Sequence, residues 1–203
     1  MADDLDSVKT GSRPYHHGDL RSALLAAAES VIAERGVDGF SLRETARRAG
    51  VSPAAPAHHF GDARGLLTAL AAEAFRKFGD ALERADRDGS RIERLRAQGL
   101  AYVRFALDER AKFDLMWRYH LLDRDDLELR AASSRAYTIL DTAARGRPAA
   151  PGETAETPEA IAAWSMVHGF ARLALDGAFG EEEGAAERAA ETLLPRVLEH
   201  LSV

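Results

Sequence analysis

The side chains able to do chemistry in this 203-residue chain are narrow in kind: seven histidines, 27 lysines and arginines, 33 carboxylates, hydroxyls, and no cysteine. Without thiols there is no disulfide, no thiolate nucleophile and no cysteine-ligated zinc, a usage that suits a reducing compartment. Four histidines form the adjacent pairs His16-His17 and His58-His59. Neighbours on a helix point in different directions, so neither pair can share a metal as an i, i+4 pair can. No G-x-S-x-G elbow, Walker-type phosphate loop or H-E-x-x-H helix is present. No enzyme, cofactor or metal site is therefore expected. What remains is hydrogen bonding and charge, gathered at two places. Residues 40–60, FSLRETARRAGVSPAAPAHHF, bring hydroxyls, guanidinium groups and imidazoles together. Farther on, His168 follows Trp164 by four residues on an otherwise apolar stretch, where an imidazole needs a polar partner or a bound molecule.

The elements that position the first set are two short helices joined by a Gly-centred turn. Ser41-Leu42-Arg43-Glu44 predicts a capping box, the Ser41 hydroxyl accepting from the Glu44 amide and the Glu44 carboxylate reaching back. Leu42, Thr45, Ala46 and Ala49 share a face, and Gly50 stands where a helix ends in a left-handed residue. Val51 reads as the buried plug of the turn, Ser52 as a second N-cap, and Pro53 as the first helical residue. Pro56 then falls in the fourth helical position and removes an intrahelical bond. A preceding helix over 18–35 carries Leu20, Leu24, Ala27, Val31 and Ile32 on one stripe and stops at Gly36. A long helix capped by Asp62 follows, with Leu66, Leu67, Leu70, Ala74, Phe75, Phe78 and Leu82 inward. The arrangement suits a helix-turn-helix DNA reader, and spacing alone equally fits an antiparallel helix pair within an all-helical core.

Three stretches, YHHGDLRSALLAAAESVIAERG, SLRETARRAGVS, and HHF leading into GDARGLL, cover residues 15 to about 70 and resemble the tetracycline-repressor (TetR) family of transcriptional regulators. WSMVHG, with Trp164, His168 and Gly169, resembles the Trp-His-Gly signature of one TetR-type ligand-binding subgroup. The resemblance implies that the second short helix enters the major groove. It places Pro53, Ala54, Ala55 and His58 toward bases and Ser52 and His59 toward phosphates. Ser41 and Arg43 lie at the start of the preceding helix, with Arg43 set for the groove edge or a phosphate. Arg47 and Arg48 read equally as solvated charge. Arg13, His16 and His17 form an arm along the backbone or a solvated lead-in segment. Alanine methyls can meet a thymine methyl but donate no hydrogen bond, so direct readout is thin. The family commonly has Tyr at the position of Ala57 and Lys at that of Ala63, both used on phosphates. Their loss implies lower affinity and a flatter salt dependence unless Arg64 and His58 substitute.

The remainder predicts helices over 91–107, 112–122, 127–144, 161–179 and 182–200, with an exposed Pro/Gly linker, RGRPAAPGETAETP, between the third and fourth. The fold class is all-α, about nine helices: a tail over 1–14, a helix-turn-helix domain over 15–64, and a ligand-binding and dimerisation domain over 65–203. From residue 9 to 64 there are eight basic and six acidic residues, and from 65 to 203 nineteen and twenty-four, so the −6 of the whole chain sits mainly outside the head. Phosphate attraction is local, and the local sign is positive. No apolar run approaches the roughly 18 residues that span a bilayer, and no signal peptide is seen, so a cytoplasmic location is expected. Phe113, Met116, Trp117, His120, Tyr137, Trp164 and His168 are the candidate lining of a cavity for a small hydrophobic ligand, each equally readable as core. Met166, Phe170 and Leu173 widen the 161–179 stripe beyond what a monomer buries, and Pro195 is expected to kink the last helix. In the resembled family these last two helices pair across a homodimer. The function implied is a ligand-released repressor on a palindromic double-stranded DNA operator, with no membrane partner. The alternative is a helical dimeric ligand-binding or protein-interaction module with a weakened reading head, favoured by Ala57 and Ala63.

Overall fold

The computed structural model describes residues 17–86, 88–153 and 157–201. The predicted tail, Arg13 and His16 lie outside the described residues. Among those described, all regular structure is helical. The order is α1 (His17–Arg35), α2 (Leu42–Arg48), α3 (Ala55–Phe60), α4 (Ala63–Ala85), α5 (Arg91–Asp108), α6 (Arg110–Met116), a 3₁₀ turn (Tyr119–Leu121), α7 (Leu127–Arg145), α8 (Pro158–Leu175), α9 (Ala185–Thr192) and α10 (Leu194–Leu198). Among the described residues no helix is long and apolar enough to cross a membrane.

Helix α4 is the spine. Its N-terminus is fixed by Asp62, whose carboxylate accepts from the Gly65 amide at 2.8 Å. Every apolar residue predicted for its inner stripe is buried. The first half packs on α1 and α3, the rest on α5, α6 and α7, so one hydrophobic core runs from Leu25 and Val37 through α4 to Leu201. The cap at α5 is a complete capping box: Ser90 Oγ accepts from the Glu93 amide, and the Glu93 carboxylate accepts from the Ser90 amide at 2.8 Å.

Two predicted helices are broken. The segment 112–122 leaves the helix at Trp117 and tightens into the 3₁₀ turn, where Arg118 N donates to Leu115 O at 3.0 Å. Full burial of Leu122 and seating of Trp117 against Phe75 and Trp164 outweigh local propensity there. The last helix starts only at Ala185, after Gly184 in a left-handed conformation, and breaks at Leu193 rather than merely kinking. Pro195 has no N–H for the carbonyl four residues back.

Candidate functional site

The head is built by α1, α2 and α3. Ser41 Oγ accepts from the Glu44 amide at 3.4 Å, and Thr45 Oγ1 donates to Ser41 O at 3.0 Å. Gly50, at φ 68°, closes the turn as expected. The reciprocal half of the predicted capping box is not formed. The Glu44 carboxylate takes a bidentate Arg47 at 2.7 and 2.8 Å and Arg48 Nε at 3.0 Å. Those hydrogen bonds hold it down at about 2. Arg48 also donates to Ser30 Oγ at 2.8 Å and pairs with Glu34, stitching α2 to α1. Arg48 is thus committed inside the head, whereas Arg47, paired with Glu44 of its own helix, stays largely exposed to solvent. Arg43 is exposed and pairs with no carboxylate among the described residues.

The reading helix is shorter than predicted. It begins at Ala55, its N-cap is Ala54 without a side-chain bond, and Ser52 contributes only its carbonyl, accepting from Ala55 N at 3.0 Å. Pro53 lies in the turn, and Val51 is half-buried rather than a fully buried plug. Pro56 falls at the second helical position, where its missing N–H has no intrahelical partner, and it is buried. Ser52, Pro53, Ala54, Ala57 and His58 are exposed and Ala55 and His59 partly so. His17 opens α1. Arg64 is exposed, and its guanidinium donates to Leu122 O at 2.7 Å, tying the start of α4 to the body.

A cavity of about 560 Å³ opens between α4, α5, α7 and α8. Trp117, Tyr137 and Trp164 line it. Phe113 and Met116 do not: both are fully buried behind the wall. His120 is exposed on the 3₁₀ turn. His168 also stands behind the wall, and its polar partner is Tyr102. Trp164 Nε1 can only donate, and does so to Tyr102 Oη at 3.2 Å, while Tyr102 Oη and His168 Nδ1 share a hydrogen bond of 2.8 Å whose direction is set by the imidazole tautomer. The imidazole thus has a polar partner within the protein. Burial, then the Arg172 guanidinium, pushes its pKa below the ordinary value. The sign follows: this arrangement stabilises the fold fully above about pH 6.5 and loses that contribution as pH falls through the depressed folded value. Tyr102→Phe orphans both neighbours and is expected to cost about 1–3 kcal/mol in urea unfolding; an unchanged midpoint would show that this hydrogen-bonded chain contributes nothing.

Residues 24–70 match the bacterial regulatory proteins of the tetR family, and residues 95–197 match the tetracyclin repressor-like C-terminal domain. The HTH-type transcriptional repressor AcnR of Corynebacterium efficiens is 32% identical over 148 residues, spanning 70% of this chain and 69% of that protein. The chain belongs to the TetR family. A protein of unknown function from Rhodococcus sp. RHA1 shares the fold with TM-score 0.72 and 31% identity, over 95% of this chain and all of that one. The TetR-family regulator PfmR from Thermus thermophilus follows at TM-score 0.65 and 23% identity, covering 89% and 99%. As a TetR-family transcriptional regulator, the chain has its helix-turn-helix in the matched N-terminal region. The polar residues of its cavity wall escaped the sequence reading. Gln98 and Tyr102 belong to the apolar stripe of α5, in register with Leu95 and Ala106, a three-and-four spacing that carried the signal.

Proposed function

We propose that the protein is a ligand-released repressor. A cytoplasmic homodimer holds a two-fold-related operator through Arg43, Ser41 and residues 52–55 with His58 and His59, and a small hydrophobic molecule in the cavity weakens that grip. The observation that carries this reading is the segment from α6 to Leu122, which touches cavity and head at once. On one side Trp117 and Tyr119 form cavity wall. On the other, Lys112 pairs with Glu29 of α1, Arg118 Nη2 lies 3.3 Å from Asp38 Oδ2 just after α1, and Leu122 O receives Arg64. A ligand wedged between Trp117 and Trp164 displaces this segment, and the displacement passes to the head through these ties. Release then requires only that the ligand bind the displaced state more tightly than the operator-bound one.

The dimer face supports the same reading. Helix α8 and the α9–α10 arm carry Met166, Phe170, Leu173, Leu193 and Val197 around one apolar groove, with Leu173 51% and Leu193 41% exposed. Such a patch on two adjacent helices suits a four-helix, two-fold interface. Sedimentation equilibrium is expected to give twice the 22.0 kDa chain mass, and Leu173→Glu a folded monomer with operator affinity reduced at least about tenfold. A wild-type monomer would remove the paired heads on which the reading depends.

A further inference from the structure

Gln98 sits in the cavity wall, its residue 1% exposed, and neither its Nε2 nor its Oε1 has a hydrogen-bond partner among the described residues. Trp117 Nε1, on the same wall, is likewise buried without one. A primary amide offers two donors and an acceptor and an indole a donor only, and leaving them unmatched destabilises the fold. The phenol of Tyr102, by contrast, is taken by Trp164 and His168.

Among the described residues the wall contains no Lys, Arg, Asp, Glu or His. An ion entering it would lose its hydration without gaining a countercharge. The rings of Phe75, Phe78, Trp117, Tyr137 and Trp164 present flat apolar surface on several sides. Ser133, Ser134 and Thr138 of α7 add hydroxyls, of which Ser133 and Thr138 donate to their own helix backbone.

We propose that the cavity takes an uncharged, planar aromatic ligand bearing a carbonyl beside an N–H or O–H, a lactam-like edge that pairs with the Gln98 amide while a further acceptor meets Trp117 Nε1. This rests on the ligand-cavity reading above and adds the chemical class. The ligand acts as the missing partner: its carbonyl accepts from Gln98 Nε2, its donor is accepted by Gln98 Oε1, and the rings hold its faces. Selectivity for this edge over an equally shaped hydrocarbon comes from Gln98, since an amide left unmatched under a hydrocarbon still bears its desolvation.

The chain has two tryptophans, so nitrogen-labelled tryptophan gives two indole N–H resonances, assigned with Trp117→Phe. These are titrated in the full-length protein with three bicyclic compounds of similar outline: carbostyril, a neutral lactam; naphthalene, with no polar atom; and naphthoate, an anion. Carbostyril, which carries the lactam edge but no further acceptor, is expected to bind at least about tenfold tighter than naphthoate and to shift the Trp117 indole through the field of its rings. Gln98→Leu is expected to weaken carbostyril at least about tenfold, leave naphthalene as tight or tighter, and raise the Tm of the ligand-free protein by about 2–6 °C. Gln98→Met should repeat the pattern, and naphthalene binding reports that either variant is folded. Naphthoate binding as tightly as carbostyril, or carbostyril affinity indifferent to Gln98, would overturn the lactam-like class while leaving an apolar ligand cavity standing. Silence of both indoles toward all three compounds would overturn the cavity reading together with it.

Discussion

Lys112→Ala is expected to lower the unfolding free energy by about 2–4 kcal/mol, and Lys112→Met by less than about 1.5 kcal/mol, in urea titrations followed by circular dichroism. The Lys112 side chain is 2% exposed, its stem packed in the core while its ammonium meets Glu29 and donates to Glu109 Oε2 at 2.7 Å. Alanine leaves a cavity; methionine keeps the stem volume and removes the charge. Both glutamates are about one-third exposed and can rehydrate once the cation is gone. Burial alone would pull the ammonium pKa down, but the hydrogen bonds to Glu109 and Glu29 outweigh it and the net shift is upward. A raised folded value means the charged pair is fully present below the ordinary lysine range and is lost only as pH rises through the folded value. Between pH 5 and 9 it contributes no pH dependence. The functional consequence separates from the stability one. Lys112→Met removes a tie between the α6 segment and α1, so it is expected to bind operator normally yet to lose most of its ligand response. Equal destabilisation by both variants would assign the effect to charge and not to packing.

Arg43→Ala is expected to weaken operator binding by about tenfold or more, whereas Arg47→Ala changes it by less than about threefold at the same salt concentration. Both guanidinium groups lie on α2 and both are exposed, so exposure alone does not separate them. Pairing does. Arg47 spends its fork on Glu44, at 2.7 and 2.8 Å, while Arg43 meets no carboxylate among the described residues. A guanidinium already neutralised releases few counterions from DNA on approach. The same logic makes Ala57→Tyr a gain: on the exposed face of α3 a phenol restores one phosphate contact. Fluorescence anisotropy over a salt series measures all three. Loss of affinity in Arg47→Ala matching that in Arg43→Ala would place the contact surface elsewhere on α2.

Local rules made much of this legible before any coordinates. Ser41, Gly50 and Asp62 each satisfy a requirement set within four residues of themselves, and each stands where capping chemistry puts it. The inner stripe of α4 followed from period alone. Some misses are local, such as the later start of α3 at Ala55, and others are long-range. Glu44 deserts its cap for Arg47 and Arg48, one of which is drawn by Ser30 and Glu34 on another helix. The break at Trp117 reflects what that indole packs against, 42 residues back at Phe75 and 47 ahead at Trp164. His168 has the expected identity and register but its partner, Tyr102, is 66 residues away. Aromatic clusters name core and cavity alike from sequence, so Phe113 and Trp117 could not be told apart until α5 and α7 were placed around them.

The most direct test of the central claim is selection of duplexes from a randomised DNA pool by the purified full-length protein, read by sequencing after successive rounds. A two-fold-symmetric sequence is expected to emerge, its half-sites centred about one helical turn, roughly 34–36 Å, apart, with Arg43→Ala failing to enrich it. Rounds that enrich no sequence from wild-type protein, and none from Ala57→Tyr, would contradict a DNA-reading head and leave the chain as a helical ligand-binding dimer.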